Sequence, residues 1–270
     1  MPLYVFCGDE LLVAYLRPSN IDACEHARAV LELLVRRLRA ARPEVKITIR
    51  GDSGFCRRRL MRRCDSHGIG SISGLAKGAV LARMARDEIE RAERQFRQTG
   101  QPQRTFGSIS NAAGSRDRPR LVIVKAEHTA LGPNPRYVVR NVPGDPQELD
   151  EGVYCHRGEA ENRIKEQQLD LFADRTSCHR FLANQFRLLL ISAAYVLVQA
   201  ARRTALVGTE LVKAQVGTIR LKLFKVAARV VVTARRVVSH LASSYPYQGV
   251  FREVYARVMS RPVPAAPASG

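Results

Sequence analysis

The sequence predicts a mixed α/β fold, and three observations carry that prediction. A chain of 270 residues with 46% hydrophobic and 26% charged residues can bury a sizeable core. Strand-like and helix-like segments alternate up to Leu75, in the order hairpin, helix, strand, helix, strand. The helical segments carry their apolar residues on one face, as helices that pack against a sheet do. Such a layout favours parallel strands joined by crossover helices.

The N-terminal elements follow from turn and capping residues. Gly8-Asp9-Glu10 is typical of the turn of a β-hairpin, and Asp22 followed by Glu25 forms a candidate capping box at the start of a helix. The predicted elements are hairpin strands at 3–7 and 11–17, a helix from about 22 to 41, a strand at 46–50, a helix at about 57–67 and a strand at 70–75.

Later elements are read from apolar spacing and from proline. Asp145-Pro146 is a favourable helix start, because proline suits the first helical turn. The predicted elements are a charged helix at about 80–97, an exposed loop or ragged strands at 98–118, strands at 121–126 and 136–141, a helix from 145 to about 168, and an apolar helix at 181–203 expected to pack under the sheet.

We expect five regions along the chain. Residues 1–78 form the first part of the α/β core, 79–144 an insertion with a charged helix and β-strands, and 145–203 further core helices. Residues 204–261 form a basic, helical C-terminal region, and 262–270 a disordered tail rich in Pro and Ala.

The charge balance favours a polyanionic partner. Lys and Arg outnumber Asp and Glu by 44 to 25, which leaves a net charge of +19. Such a surface attracts nucleic acid through the release of counterions. Nine basic residues and one acid, Glu210, lie between Arg202 and Arg236. Two interpretations of that segment remain open: a DNA-backbone contact surface, or a solvated basic face above a buried apolar one.

Cysteine usage and hydropathy indicate a cytoplasmic protein. None of the six cysteines forms a Cys-x-x-Cys pair, and Cys155-His156 with Cys178-His179 lack the ligand spacing of a zinc site. Reduced thiols are expected. We find no signal peptide at the start and no apolar run near the roughly 18 residues that span a bilayer.

Two segments carry residues that could act in chemistry. Asp52 follows a predicted strand within Gly51-Asp52-Ser53-Gly54, where α/β sheets commonly place functional groups, although an Asp in such a turn is more often a cap or turn residue. Helical spacing places Tyr154, Arg157, Glu161 and Lys165 along one face. An exposed helix with ion pairs four residues apart is the alternative for that second segment.

Together these segments resemble the DDE transposases of bacterial insertion sequences, in the branch with a Tyr-x2-Arg-x3-Glu helix motif. Tyr154, Arg157 and Glu161 match that motif. Further similar segments, in the same order as in the family, are 3–9, 17–20, 52–55, 125–128 and 157–177.

The resemblance implies an RNase H-like core with three carboxylates that bind two divalent metal ions, normally Mg²⁺, with Mn²⁺ as a substitute. Asp52 would be the second acid and Glu161 the third, and both would be metal ligands. Tyr154, Arg157 and Lys165 would contact DNA. The implied substrates are double-stranded DNA ends and target DNA, bound by a homodimer, and the implied reaction is metal-dependent strand cleavage and transfer.

The chain departs from the family pattern in three places. The first acid belongs to a strand that would precede the predicted hairpin, so we expect an N-terminally truncated enzyme without one sheet strand; Asp9 looks like a turn residue instead. Gln168 stands where the extended motif has lysine, and Lys165 is the candidate replacement. No tryptophan is present to stack on a flipped base.

Three functions therefore stay open. The chain is a transposase, a DNA-binding remnant of one without catalytic activity, or an RNA-binding protein that is supported by charge alone. Dependence on Asp52 and Glu161 separates the first from the others.

Overall fold

The computed structural model describes residues 1–112 and 118–260. The strands are β1 (Pro2–Cys7), β2 (Glu10–Leu16), β3 (Thr48–Gly51), β4 (Gly70–Leu75), β5 (Gln103–Asn111), β6 (Arg120–Thr129), β7 (Gly132–Pro133), β8 (Arg136–Arg140), β9 (Ala228–Val232) and β10 (Val237–Leu241). The α-helices are α1 (Ala27–Ala41), α2 (Arg58–Ser66), α3 (Ala79–Met84), α4 (Arg86–Thr99), α5 (Pro146–Glu148), α6 (Arg157–Lys165), α7 (Phe181–Thr204), α8 (Val216–Ile219) and α9 (Gln248–Met259). Segments of π-helix cover Leu149–Tyr154, Glu166–Asp170 and Arg220–Phe224.

The chain divides into two compact units. The sheet unit is Pro18–Glu159, and the hairpin–helix unit combines Met1–Arg17 with Ala160–Gly270. The predicted boundaries of the five regions remain predictions, because this division groups residues by contact and not by role. The predicted tail at 262–270 lies outside the described residues.

The sheet unit is built around one mixed sheet with the order β3-β4-β8-β6-β5, to which β7 adds at β6. β3 and β4 are parallel, and the remaining pairs are antiparallel. This sheet with its flanking helices confirms the predicted α/β class and is consistent with an RNase H-like fold. The strands of the predicted insertion, β5, β6 and β8, continue the same sheet as β3 and β4.

Apolar clusters cover the sheet of this unit. One contains Val122, Val124 and Val139 of the sheet with Ala92 of α4. A second cluster contains Ile72, Ile123 and Val138 together with Tyr154. Alternate residues of β6 and β8 therefore lie on opposite faces of the sheet, as the two-residue period of a strand requires.

The hairpin–helix unit is built around α7. β1 and β2 pair as the predicted hairpin, with Gly8 at a φ of +58° in the turn. Leu16 of β2 packs with Leu188 of α7, and the backbone N–H of Leu16 donates to Gln185 Oε1 at 2.6 Å. The sequence predicted that the apolar helix at 181–203 packs under the sheet. Within its own unit, that helix, α7, packs on this hairpin.

α7 also corrects one expectation drawn from hydropathy. By length and composition alone, it is apolar and long enough to cross a membrane, although only 28% of its most apolar stretch is buried. Core helices of globular proteins pass the same test, so one such helix does not establish a membrane span.

Two local predictions were wrong. α1 begins at Ala27 because Asp22 is not its cap: the Asp22 carboxylate accepts from Cys24 N–H at 2.8 Å and pairs with Arg57 at 2.8 Å. Of the two alternatives for 98–118, a loop or ragged strands, the structure has a strand, the nine-residue β5. The basic C-terminal segment was expected to be helical, yet it contains the hairpin of β9 and β10.

Candidate active site

Asp52 follows β3 directly and caps a short 3-10 turn at Ser53–Phe55. Its side chain is exposed, and Oδ1 accepts from the N–H of Gly54 at 2.8 Å. A Cβ atom on Gly54 would lie 2.9 Å from that oxygen, so this position favours glycine. The structure thus places Asp52 both as a turn cap and as an exposed carboxylate at the carboxyl end of a parallel strand.

Gly74 brings Asp52 and Tyr154 into one neighbourhood. β3 and β4 run in register, with Gly51 opposite Ser73, so Gly74 lies next to the start of the Asp52 turn. A Cβ atom on Gly74 would lie 2.6 Å from Tyr154 Oη and 3.3 Å from Ser53 N. The missing side chain lets the tyrosine hydroxyl approach the backbone that carries Asp52.

Tyr154 is a core residue with a polar end. It is 7% exposed and packs with Ile72 and Val138. Burial raises its pKa, and the nearby charges of Arg157 and Arg136 oppose that rise. The guanidinium groups of Arg136 and Arg157 lie 5.4 Å and 5.9 Å from the ring centroid. The two motif residues Tyr154 and Arg157 are therefore in contact through a cation–π pair.

An ion pair lies beside Tyr154, formed by a buried carboxylate, Asp150, and an arginine, Arg136, whose side chain is 39% exposed. Asp150 is 0% exposed, and its Oδ2 accepts from Arg136 at 2.5 Å, with Lys125 Nζ at 4.0 Å. Burial lowers the pKa of Arg136, but the charge of Asp150 and hydrogen bonds to Cys155 and Asp150 outweigh that effect and raise it. The pair joins β8 to the segment that leads into α6.

Glu161 and Lys165 lie on α6, beyond the tyrosine. Both side chains are exposed, and a spacing of four residues places them on the same face of the helix. Asp52 belongs to the sheet unit, whereas Glu161 and Lys165 belong to the hairpin–helix unit. The structure thus groups Asp52 with Tyr154, and Tyr154 with Arg157, inside one unit.

The carboxylates of Asp52 and Glu161 are the hard oxygen donors that Mg²⁺ prefers. Across residues 1–112 and 118–260, no group of three or more His, Cys, Asp or Glu side chains is placed to hold a metal ion. The residues that the structure describes therefore do not complete a three-acid site.

Sequence reasoning missed three residues near Tyr154. Gly74 carried a signal, because a glycine inside a strand often marks a close approach. Asp150 and Arg136 carried none, because Asp150-Glu151 resembles ordinary acidic residues in a first helical turn. Their pairing depends on the packing of β8 against the following helical segment.

The chain was compared with known proteins and with models of protein families. A comparison with curated proteins found no match. The model of the family described as "Transposase DDE domain group 1" matches residues 1–263, which is nearly the whole chain. The chain therefore belongs to the group 1 family of transposase DDE domains.

Proposed function

We propose that the chain is the catalytic part of a DNA transposase that cleaves and joins phosphodiester bonds at the ends of an insertion sequence. Asp52 acts as the second acid and Glu161 as the third, in the Tyr-x2-Arg-x3-Glu branch of the family. The observation that carries this proposal is the place of Asp52. It is an exposed carboxylate at the carboxyl end of β3, next to the hydroxyl of the motif tyrosine across Gly74.

Each site residue has a distinct task in this reaction. Asp52 and Glu161 hold divalent metal, Mg²⁺ or Mn²⁺, which when bound supplies Lewis-acid activation of water or a 3′-hydroxyl. Arg157 and Lys165 neutralise phosphates of the bound strand. Tyr154 is buried, so it contributes through its hydroxyl and through the cation–π contact that holds Arg157.

The partners follow from family and charge. A net charge of +19 suits double-stranded DNA, both the terminal repeats and the target. We propose that a homodimer binds these ends and that the protein works in the cytoplasm.

A second candidate is a DNA-binding remnant without catalytic activity. One observation favours it: the described residues hold no three-acid cluster. A metal site with too few ligands loses affinity and geometry, so this candidate predicts DNA binding without cleavage.

Strand cleavage with conservative variants tests the proposal. The substrate is a labelled duplex that carries the ends of the insertion sequence encoding this chain, in Mg²⁺ and in Mn²⁺. We expect cleavage that Asp52→Asn and Glu161→Gln each reduce by at least about a hundredfold, since each removes a metal ligand.

Two carboxylates outside the site provide matched controls. Glu159→Gln changes an exposed acid of the same helix, and Asp87→Asn an exposed acid in the first turn of α4. Both should keep cleavage within about twofold. If the chain binds the duplex without cleaving it, and then cleaves it once a relative's segment with the first acid is supplied, that result supports the DDE roles of Asp52 and Glu161. It also assigns the isolated chain to the second candidate. Binding that no added segment converts to cleavage leaves only the remnant.

A further inference from the structure

A cavity in the hairpin–helix unit opens beside the C-terminal end of α6. Its volume is about 540 Å³, and its lining includes Asn162, Lys165, Glu166, Arg202 and Lys213. Asn162 is adjacent to Glu161 in sequence, so the cavity begins within one residue of the proposed third acid. It lies entirely in residues of one compact unit.

The carboxylates of this cavity are already engaged. Glu166 accepts from Arg202 at 2.7 Å and from the backbone N–H of Val216 at 3.2 Å. Asp170 accepts from the backbone N–H of Gly217 at 2.9 Å. Asp9 pairs with Arg163. Arg163 and Arg202 thus offset two of the three acid charges, while the third acid, Asp170, is held by a backbone N–H.

The two lysines that line the cavity differ from its carboxylates, which are held by hydrogen bonds and ion pairs. Lys165 and Lys213 are exposed, and neither forms a salt bridge with an acid in the part of the chain that the structure describes. The lining as a whole contains four Lys or Arg side chains against three carboxylates. Because the two arginines are held by acids, the surplus positive charge belongs to the lysines.

We propose that this cavity seats a phosphate of the DNA strand between Lys165 and Lys213. The inference rests on the proposed function and adds to it a residue far from the helix motif, Lys213, in the segment between α7 and α8. Lysine binds phosphate as a compact point charge with three donors, which suits a seat made by two separate segments. With Lys165 one helical turn after Glu161, the seat holds the strand next to the third acid.

The salt dependence of DNA binding tests this seat. Affinity for a 20-base-pair duplex is measured by fluorescence anisotropy between 50 and 200 mM NaCl. We expect Lys213→Gln to weaken binding about five- to tenfold at the middle of that range and to reduce the slope of log K against log salt by about 0.9. Lys165→Gln should behave alike. The double variant should lose less than the two single losses combined, because both lysines serve one phosphate.

Lys225 provides the matched control. It is an exposed lysine of the same unit outside the cavity lining, so Lys225→Gln removes the same charge elsewhere. We expect its affinity to stay within about twofold of the parent chain. Circular dichroism melting confirms that each variant folds.

The outcomes separate this inference from the proposed function. If Lys213→Gln and Lys225→Gln change the affinity for DNA equally, the phosphate seat is wrong. The transposase proposal then stands, because the Asp52 and Glu161 variants test it separately by cleavage. A parent chain that binds duplex RNA more tightly than DNA, and loses that preference in Lys213→Gln, overturns the assignment to DNA. A parent chain without salt-dependent binding to either overturns both proposals.

Discussion

Gly74 shows how a single missing side chain shapes the neighbourhood of Asp52. We expect Gly74→Ala to lower the free energy of unfolding by about 1–3 kcal/mol, because the new methyl group would overlap Tyr154 Oη and crowd Ser53 N. Urea unfolding measures the loss. Tyr154→Phe removes the hydroxyl, so the double variant should lose less than the sum of the single losses.

Gly152→Ala is the control for that experiment, since no atom lies within 4 Å of its added Cβ. Its effect should be near zero or slightly stabilising, because alanine suits a helical segment better than glycine. If Gly74→Ala were as harmless as Gly152→Ala, the close approach of Tyr154 to the Asp52 turn would be wrong.

The position of Asp52 could be predicted from the sequence, but the packing of Tyr154 could not. A carboxylate after a strand and between two glycines is a local pattern, and the structure places it at the end of β3. Tyr154 looked like an exposed member of a helix face. Its burial depends on which strands lie side by side, and a sequence with helical spacing does not carry that information.

At the scale of elements, the Arg136–Asp150 pair fastens β8 to the segment before α6. Arg136→Met should cost about 1–3 kcal/mol of unfolding free energy, because the carboxylate of Asp150, at 0% exposure, then keeps only Lys125 at 4.0 Å as a charged neighbour. Denaturant unfolding followed by circular dichroism measures this loss.

Arg104→Met is the matched control in the same sheet. Arg104 pairs with Glu127 at 2.9 Å, but its side chain is 56% exposed, so its loss should cost less than about 1 kcal/mol. Adding Asp150→Asn to Arg136→Met should restore part of the stability, because the buried charge is then removed. Equal losses for the two arginine variants would falsify the structural role given to Asp150.

The elements that local pattern predicted well have strong local signals. β4 was expected at 70–75 and lies at Gly70–Leu75, and a helix begins at Pro146 as expected, with the Asp145 side chain accepting from two helical N–H groups. The start of α1 failed because Asp22 is bound to a distant arginine. The hairpin of β9 and β10 was missed although its valine-rich runs favour strands, because the spacing of basic residues was read as helical.

For the whole molecule, alkaline pH should destabilise the fold through buried acids that stay protonated. Cys64 is 0% exposed, and burial raises the pKa of its thiol from 9.0 to about 12. Above pH 9 the unfolded chain loses this proton and the folded chain keeps it, so stability falls as pH rises. The unfolding free energy should drop by about 2 kcal/mol between pH 9 and pH 10.5 from this group.

Cysteine variants isolate that contribution. Cys64→Ala should lack this share of the drop, whereas Cys7→Ala, which changes an exposed thiol, should retain it. Tyr4 and Tyr195, whose pKa values burial raises to about 12, add a further loss above pH 10 in both variants. Urea unfolding at the two pH values, compared within each variant, provides the measurement. If Cys64→Ala and Cys7→Ala lose the same unfolding free energy between the two pH values, the assignment to Cys64 is wrong.

The split composition of the hairpin–helix unit has a consequence for how the chain is made. Its first piece, Met1–Arg17, leaves the ribosome before the sheet unit, and its second piece leaves after. Synthesis of the 142 intervening residues takes about 7 to 28 seconds at about 5–20 residues per second. An isolated two-stranded hairpin is only marginally stable in water, so β1 and β2 wait for α7 to emerge. The two hairpin strands therefore reach their packed state only after the whole sheet unit has been synthesised.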